Sequence, residues 1–230
     1  MGNSVTIYHG SERIIERPVY GGGRSHNDYG RGFYCTESES LAKEWACSTL
    51  RDGYANRYRI DMTDMRVLQL NSEEYSILNW IAILVSNRVF RVGTPIAGRA
   101  IRYLRDNYML NVHEYDIIVG YRADDSYFDF AETFLNNALT VEQLSEAMRL
   151  GKLGEQVVLK SRWAFDHLEF EGYSTAPREL WLPVKKARDE RARTDYETII
   201  SDEVDGLYMA DIIRQQVSND DDRIPRAVSK

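Results

Sequence analysis

The chain has 230 residues and a net charge of −7, with 43% hydrophobic and 28% charged residues, a balance that suits one packed domain or one domain with an appendage. An acidic excess gives no long-range pull toward nucleic acid or an anionic membrane, so such a partner would need a local basic patch. No apolar run approaches the roughly 18 residues of a membrane span, and Cys35 and Cys47, without a CxxC pair, suggest neither a zinc motif nor a disulfide framework but reduced thiols in the cytoplasm.

The opening residues lack a basic stretch followed by an apolar one, so no signal peptide is expected. MGNSVT fits a crude myristoylation pattern but runs straight into a strand. That strand, SVTIYHG, ends on His9, Gly10 and Ser11, which can offer an imidazole, bare backbone amides and a hydroxyl to one ligand. A loop punctuated by Pro18 and Gly21 to Gly23 follows. Arg24, just after it, is a candidate for binding phosphate. The glycines of DYGRGFYCT then make a sharp turn into a short strand, and SESLAKEWACSTL continues as a helix capped by Ser38. Tyr34 on the strand and Trp45 on the helix can sandwich a planar, preferably cationic, ring. Phe33, next to Tyr34, should face the opposite side and enter the core.

ANRYRIDM and MRVLQL read as strands on either side of a turn. SEEYSILNWIAILVSNRVF has the strongest helical pattern, with Ser72 as N-cap and Glu73 and Glu74 in its first turn. TPIAGRAIRYLRDNY follows, capped by Thr94 with Pro95 at its first position. YDIIVGY is a buried strand. Beyond it, Arg122 is placed to grip a pyrophosphate bidentately, and Asp124 or Asp125 to cap a helix starting near Ser126. TVEQLSEAMRLG is a helix stopped by Gly151. LGEQVVLKS is a strand whose first residue, Glu155, can accept a hydrogen bond from a sugar hydroxyl or support an oxocarbenium-like transition state. HLEFEGYS is one more strand. From residue 185 the composition turns highly charged, so residues 1–184 form the expected domain and 185–230 a partly helical tail. SNDDDRIPRAVSK reads as its disordered end. The intermingled elements point to an α+β fold, mostly antiparallel, with a helical insertion at about 72–110.

HGS at His9 to Ser11, GRGFY at Gly30 to Tyr34 with Trp45 beyond it, and EQVV at Glu155 to Val158 together resemble the histidine–tyrosine–glutamate class of the ADP-ribosyltransferase superfamily. YHGS, GRGFY, YDIIVGYRADDSYF and LGEQVVLKS are most similar to a small bacterial family, the domain of unknown function 3990. The resemblance implies an ADP-ribosyltransferase-like fold, in which two small twisted sheets form an NAD+ cleft. It also implies that NAD+ is a substrate and that no metal is needed. His9 would hold a ribose hydroxyl, Gly10 the nicotinamide carboxamide, and Ser11 the adenine-side ribose. Tyr34 and Trp45 would stack on nicotinamide, and Glu155 would bind the nicotinamide-ribose 2′-hydroxyl as nicotinamide leaves. The activity implied is mono-ADP-ribosyl transfer to a protein or nucleic acid, in the manner of a bacterial toxin of a toxin–antitoxin or phage-defence module. The tail is then a docking surface for an antitoxin or regulator. Alternatives are an NAD+ glycohydrolase, an RNA 2′-phosphotransferase-like enzyme and a non-catalytic NAD+-binding module. Two departures stand out. Ala42 replaces the serine that helps hold the carboxamide in the poly-ADP-ribose polymerases of that superfamily, and Glu155, preceded by Leu153 and Gly154, is not part of the E-x-E pair that the arginine-modifying toxins use.

Overall fold

The computed structural model describes residues 4–123, 125–149, 155–202 and 205–226, with the backbone alone for 125–127. The expected Asp124 or Asp125 capping side chain and the Gly151 stop fall outside the described residues. The fold is α+β, with two small sheets and, among the described residues, eight helices.

The first sheet is antiparallel and has the order β1 (Ser4–Ser11), β3 (Gly53–Asp61), β7 (Leu168–Ala176). The second has the order β2 (Phe33–Cys35), β6 (Glu155–Leu159), β5 (Ile117–Tyr121), β4 (Val67–Gln69), antiparallel except for the parallel β4–β5 pair. The strands expected on either side of the 62–66 turn, β3 and β4, lie in different sheets. β3 has both edges filled by β1 and β7, so β4 has no edge there to fold back on and pairs with β5.

A core of Ile7, Phe33, Tyr58, Ile60, Val119 and Val157 fills the space between the sheets. The other face of the second sheet carries the larger core, built around α2 (Ile77–Asn87). Residues 77–85 of α2 are buried without a break, so this helix is the centre of the molecule rather than an inserted appendage. It starts at Ile77 instead of near Ser72, because a first turn dehydrated on all sides has no room for Glu73 and Glu74. The Ser76 N–H donates to Asn79 Oδ1 at 2.8 Å and closes that end. α3 (Pro95–Tyr108) starts as expected, with Thr94 Oγ1 accepting from Ala97 N at 3.2 Å. α1 (Glu39–Ala46) packs on β1 and β3, capped by Ser38.

α4 (Asp125–Leu135) and α5 (Val141–Ala147) extend the larger core, while α6 (Arg162–Asp166) is a single turn before β7. No break in secondary structure marks residue 185, where the composition turns charged. α7 (Arg178–Ser201) runs through that point as one helix and contains Pro183. α8 (Met209–Gln215) and its flanks bury Leu207, Met209, Ile212, Val217 and Ile224 in the same core as α2. The disorder expected from residue 218 is absent through Arg226. The Ile77 N–H donates to Pro225 O at 3.3 Å, and Ser76 Oγ to Asn219 Oδ1 at 2.8 Å.

Candidate functional site

Tyr8 and Thr36 exchange two backbone hydrogen bonds, of 2.7 and 2.9 Å, which join β1 of one sheet to the end of β2 of the other. This clasp brings His9 against Tyr34, with His9 Nδ1 2.7 Å from the Tyr34 carbonyl oxygen. A carbonyl only accepts, so Nδ1 carries the hydrogen and Nε2 keeps its lone pair for a ligand hydroxyl. Burial lowers the His9 pKa from its ordinary value, against the opposing effect of that bond, so the ring is neutral near pH 7. The Phe33 ring stacks on it at 4.3 Å and meets Tyr58 edge-on at 5.5 Å, which fixes the imidazole plane.

The turn before β2 is built for the same purpose. Gly30 has φ +71°, a left-handed conformation that favours glycine. The Tyr34 hydroxyl donates to Gly30 O at 2.5 Å and accepts from Tyr29 N at 3.1 Å, so the side chain clamps its own turn. Lys160 Nζ donates to Tyr29 O and Arg31 O, each at 2.5 Å, and burial brings its pKa down to about 8. Gly10 is explained by packing. A Cβ there would run into the Ala42 carbonyl of α1, so the glycine serves the crossing of α1 over β1, whatever ligand its amide also meets.

A cleft of about 1000 Å³ opens at this junction. It brings together six of the eight residues singled out in the sequence: His9, Gly10, Arg24, Tyr34, Trp45 and Arg122. Arg122 lies with its guanidinium 4.4 Å from the Trp45 ring centre. Ser11 and Glu155 are not among the lining residues. Ser11 Oγ is engaged with the Arg13 backbone, donating to its carbonyl at 2.5 Å and accepting from its N–H at 3.0 Å. Glu155 is half-buried at the start of β6, where it accepts a hydrogen bond from Asn71 Nδ2. Successive strand residues face opposite ways, and it is its neighbour Gln156 that faces the cleft.

Sequence reading missed the polar floor. Asp28, only 4% exposed, pairs with Arg88 at 3.0 Å and accepts from Ala123 N at 2.9 Å and from Gln156 Nε2 at 3.2 Å. Burial raises the Asp28 pKa, opposed by the Ala123 N–H, Arg88, Gln156 and Arg122. With Nε2 committed to Asp28, Gln156 Oε1 is buried with no partner among the described residues, as is Trp45 Nε1. A glutamine next to the apolar run Val157 to Leu159 in a buried strand was a legible signal for Gln156. Asp28 stands beside a glycine turn, where aspartate is commonplace, and nothing nearby in the sequence announces Arg88.

The arrangement defines a two-sheet α+β protein with an arginine- and aromatic-lined cleft at the sheet junction. Residues 5–170 match the family described as protein of unknown function (DUF3990), and the chain belongs to that family. No curated protein and no solved structure matches it. Among the described residues, no helix is long and apolar enough to cross a membrane, and no cluster of metal-ligating side chains is present.

Proposed function

We propose that the chain has an ADP-ribosyltransferase-like fold and is a mono-ADP-ribosyltransferase that cleaves NAD+ and passes ADP-ribose to a macromolecule. The observation that carries this reading is the convergence of His9, Tyr34, Trp45 and Arg122 on one cleft, beside an unpartnered Gln156 Oε1. A buried acceptor without a donor is costly, so it marks a place for a ligand donor. The nicotinamide carboxamide supplies one, and Gln156 replaces the contact that Ala42 cannot make.

Tyr34 and Trp45 flank the pyridinium ring, whose positive charge suits aromatic faces. Arg122 leaves Trp45 to hold the pyrophosphate, helped by Arg24. Neutral His9 accepts from a ribose hydroxyl through Nε2. For Glu155 to serve the nicotinamide-ribose 2′-hydroxyl, it must leave Asn71 and the first residue of β6 must turn its carboxylate to the cleft side now faced by Gln156, a rearrangement on substrate binding. NAD+ labelled in its adenylate half, incubated with the full chain and a cell lysate, tests the reading. Nicotinamide release with macromolecular labelling is expected, lost in Glu155→Ala and His9→Ala. Release without labelling would make the protein a glycohydrolase. No release, with both variants indistinguishable from the parent, refutes the proposal. Gln156→Leu gives a finer check, with KM for NAD+ expected to rise about tenfold for the lost hydrogen bond.

A further inference from the structure

Beside the cleft, and sharing Arg24 and Arg88 with it, lies a second depression of about 760 Å³. Arg24, His26, Arg31 and Arg88 line it together with Val89 and Phe128, and no carboxylate does among the described residues. Arg24, His26 and Arg31 are exposed and form no ion pair among the described residues. The basic character continues along the chain. Residues 88–105 hold five arginines and no acid, in a protein with 36 acidic and 29 basic residues. Arg91, Arg99 and Arg102 in this segment are exposed, and a Cβ built at Gly98 would sit 3.4 Å from Val92 Cγ1 and 3.8 Å from Arg102 Nη1, which places that guanidinium beside the 88–93 loop. Of the five arginines Arg88 is paired with Asp28, and Glu132 accepts from the Arg91 backbone N–H at 2.9 Å.

The groove also offers apolar surface. Val89 is 82% exposed, and Phe128, stacked on Phe90 at 4.3 Å, carries the Arg88 guanidinium 4.9 Å from its ring centre. Exposed arginines along a groove that also offers Val89 and the Arg88 guanidinium are what a single nucleic-acid strand requires, phosphates on the arginines and bases against the apolar side chain and the guanidinium plane. The acidic remainder of the surface does not cancel this attraction, since at about 0.1 M salt charges beyond roughly 10 Å are screened. Resting on the proposed NAD+ chemistry, we propose that this groove seats the acceptor, and that the acceptor is single-stranded nucleic acid. The shared wall at Arg24 and Arg88 leads the strand to the cleft. There the bond from the ribose C1′ to the pyridinium nitrogen breaks, and its electron pair leaves with nicotinamide. A base nitrogen or sugar hydroxyl forms the new bond to C1′ and gives its proton to solvent.

Binding is tested apart from catalysis, by fluorescence anisotropy of end-labelled RNA and DNA strands about 12 nucleotides long, without NAD+. Single strands should bind the full chain at about 50 mM salt and weaken steeply by about 200 mM, and a duplex should bind less well. Arg31→Glu with Arg91→Glu should raise Kd at least about tenfold and flatten the salt slope, with an unchanged melting temperature showing that the fold persists. The RNA and DNA arms identify the strand. With labelled NAD+ added, the label should appear on the strand. Absence of binding at low salt, equal binding by the double variant, or label found only on protein overturns the proposal. Groove-dependent binding without NAD+ consumption upholds the groove and refutes the proposed activity instead.

Discussion

Phe33 and Tyr34 are neighbours with opposite duties. Phe33, 8% exposed, belongs to the core between the sheets, braces His9 and reaches the cleft wall, while Tyr34 packs on the other, larger core, closes its own turn and lines the cleft. Phe33→Ala should therefore cost about 3–5 kcal/mol of stability, read from denaturant midpoints. Tyr34→Ala should lower nicotinamide release at least about tenfold, a loss of roughly 1.4 kcal/mol in transition-state binding. The reverse pattern would mean that β2 is read in the wrong register. His9 adds a pH signature. Its pKa in the folded protein lies below the ordinary 6.5, so on acidification the unfolded chain takes up the proton first. Stability should fall as pH drops below about 6.5 and stop falling once the folded-state pKa is passed. His9→Gln should remove this part of the pH dependence, measured as the difference between the two unfolding curves.

At the scale of elements, the site depends on how closely α1 and the aromatic turn approach the strands. Gly10→Ala should push α1 off β1, at a cost of about 2 kcal/mol in thermal unfolding, with Trp45 fluorescence shifted as α1 moves. Lys160 ties the turn to the end of β6. Its pKa of about 8 lies below the ordinary 10.5, so between these values the folded state binds fewer protons than the unfolded one. The stability difference between the parent and Lys160→Met should grow with pH across that window. Much of this was legible in the sequence. HGS, GRGFY and Trp45 are local, and their spacing reports the strand, turn and helix that carry them. The caps at Ser38 and Thr94 were readable for the same reason. Asp28, Arg88 and Gln156 were not assembled, because their proximity comes from three elements far apart in the chain. α7 was missed over most of its length because Pro183 reads as a breaker and only Ala192 and Ile199 are buried among its residues. The order of residues 218–226 was missed because SNDDDR is polar, while what holds it is the buried Ile224, the Ser76–Asn219 side-chain bond and the Ile77–Pro225 backbone bond.

At the scale of the molecule, the charged tail is structural. Ile199, Leu207, Met209, Ile212, Val217 and Ile224 belong to the core around α2, so removing residues 185–230 takes six buried apolar side chains from it. At about 1.5–3 kcal/mol each, this loss approaches the whole stability of an ordinary domain. A 1–184 fragment should lack a cooperative melting transition and be degraded quickly in limited proteolysis, whereas the full chain melts in one step. A stable 1–184 fragment would show that α2 is covered some other way. The same packing bears on synthesis, which is vectorial. His9, Tyr34 and Trp45 leave the ribosome early, but the helix behind them stays partly uncovered until Ile224 has emerged. A nascent chain therefore carries every motif of the cleft without the support that holds the cleft in shape, and the NAD+ chemistry proposed above would start only after the last core residue has left the ribosome.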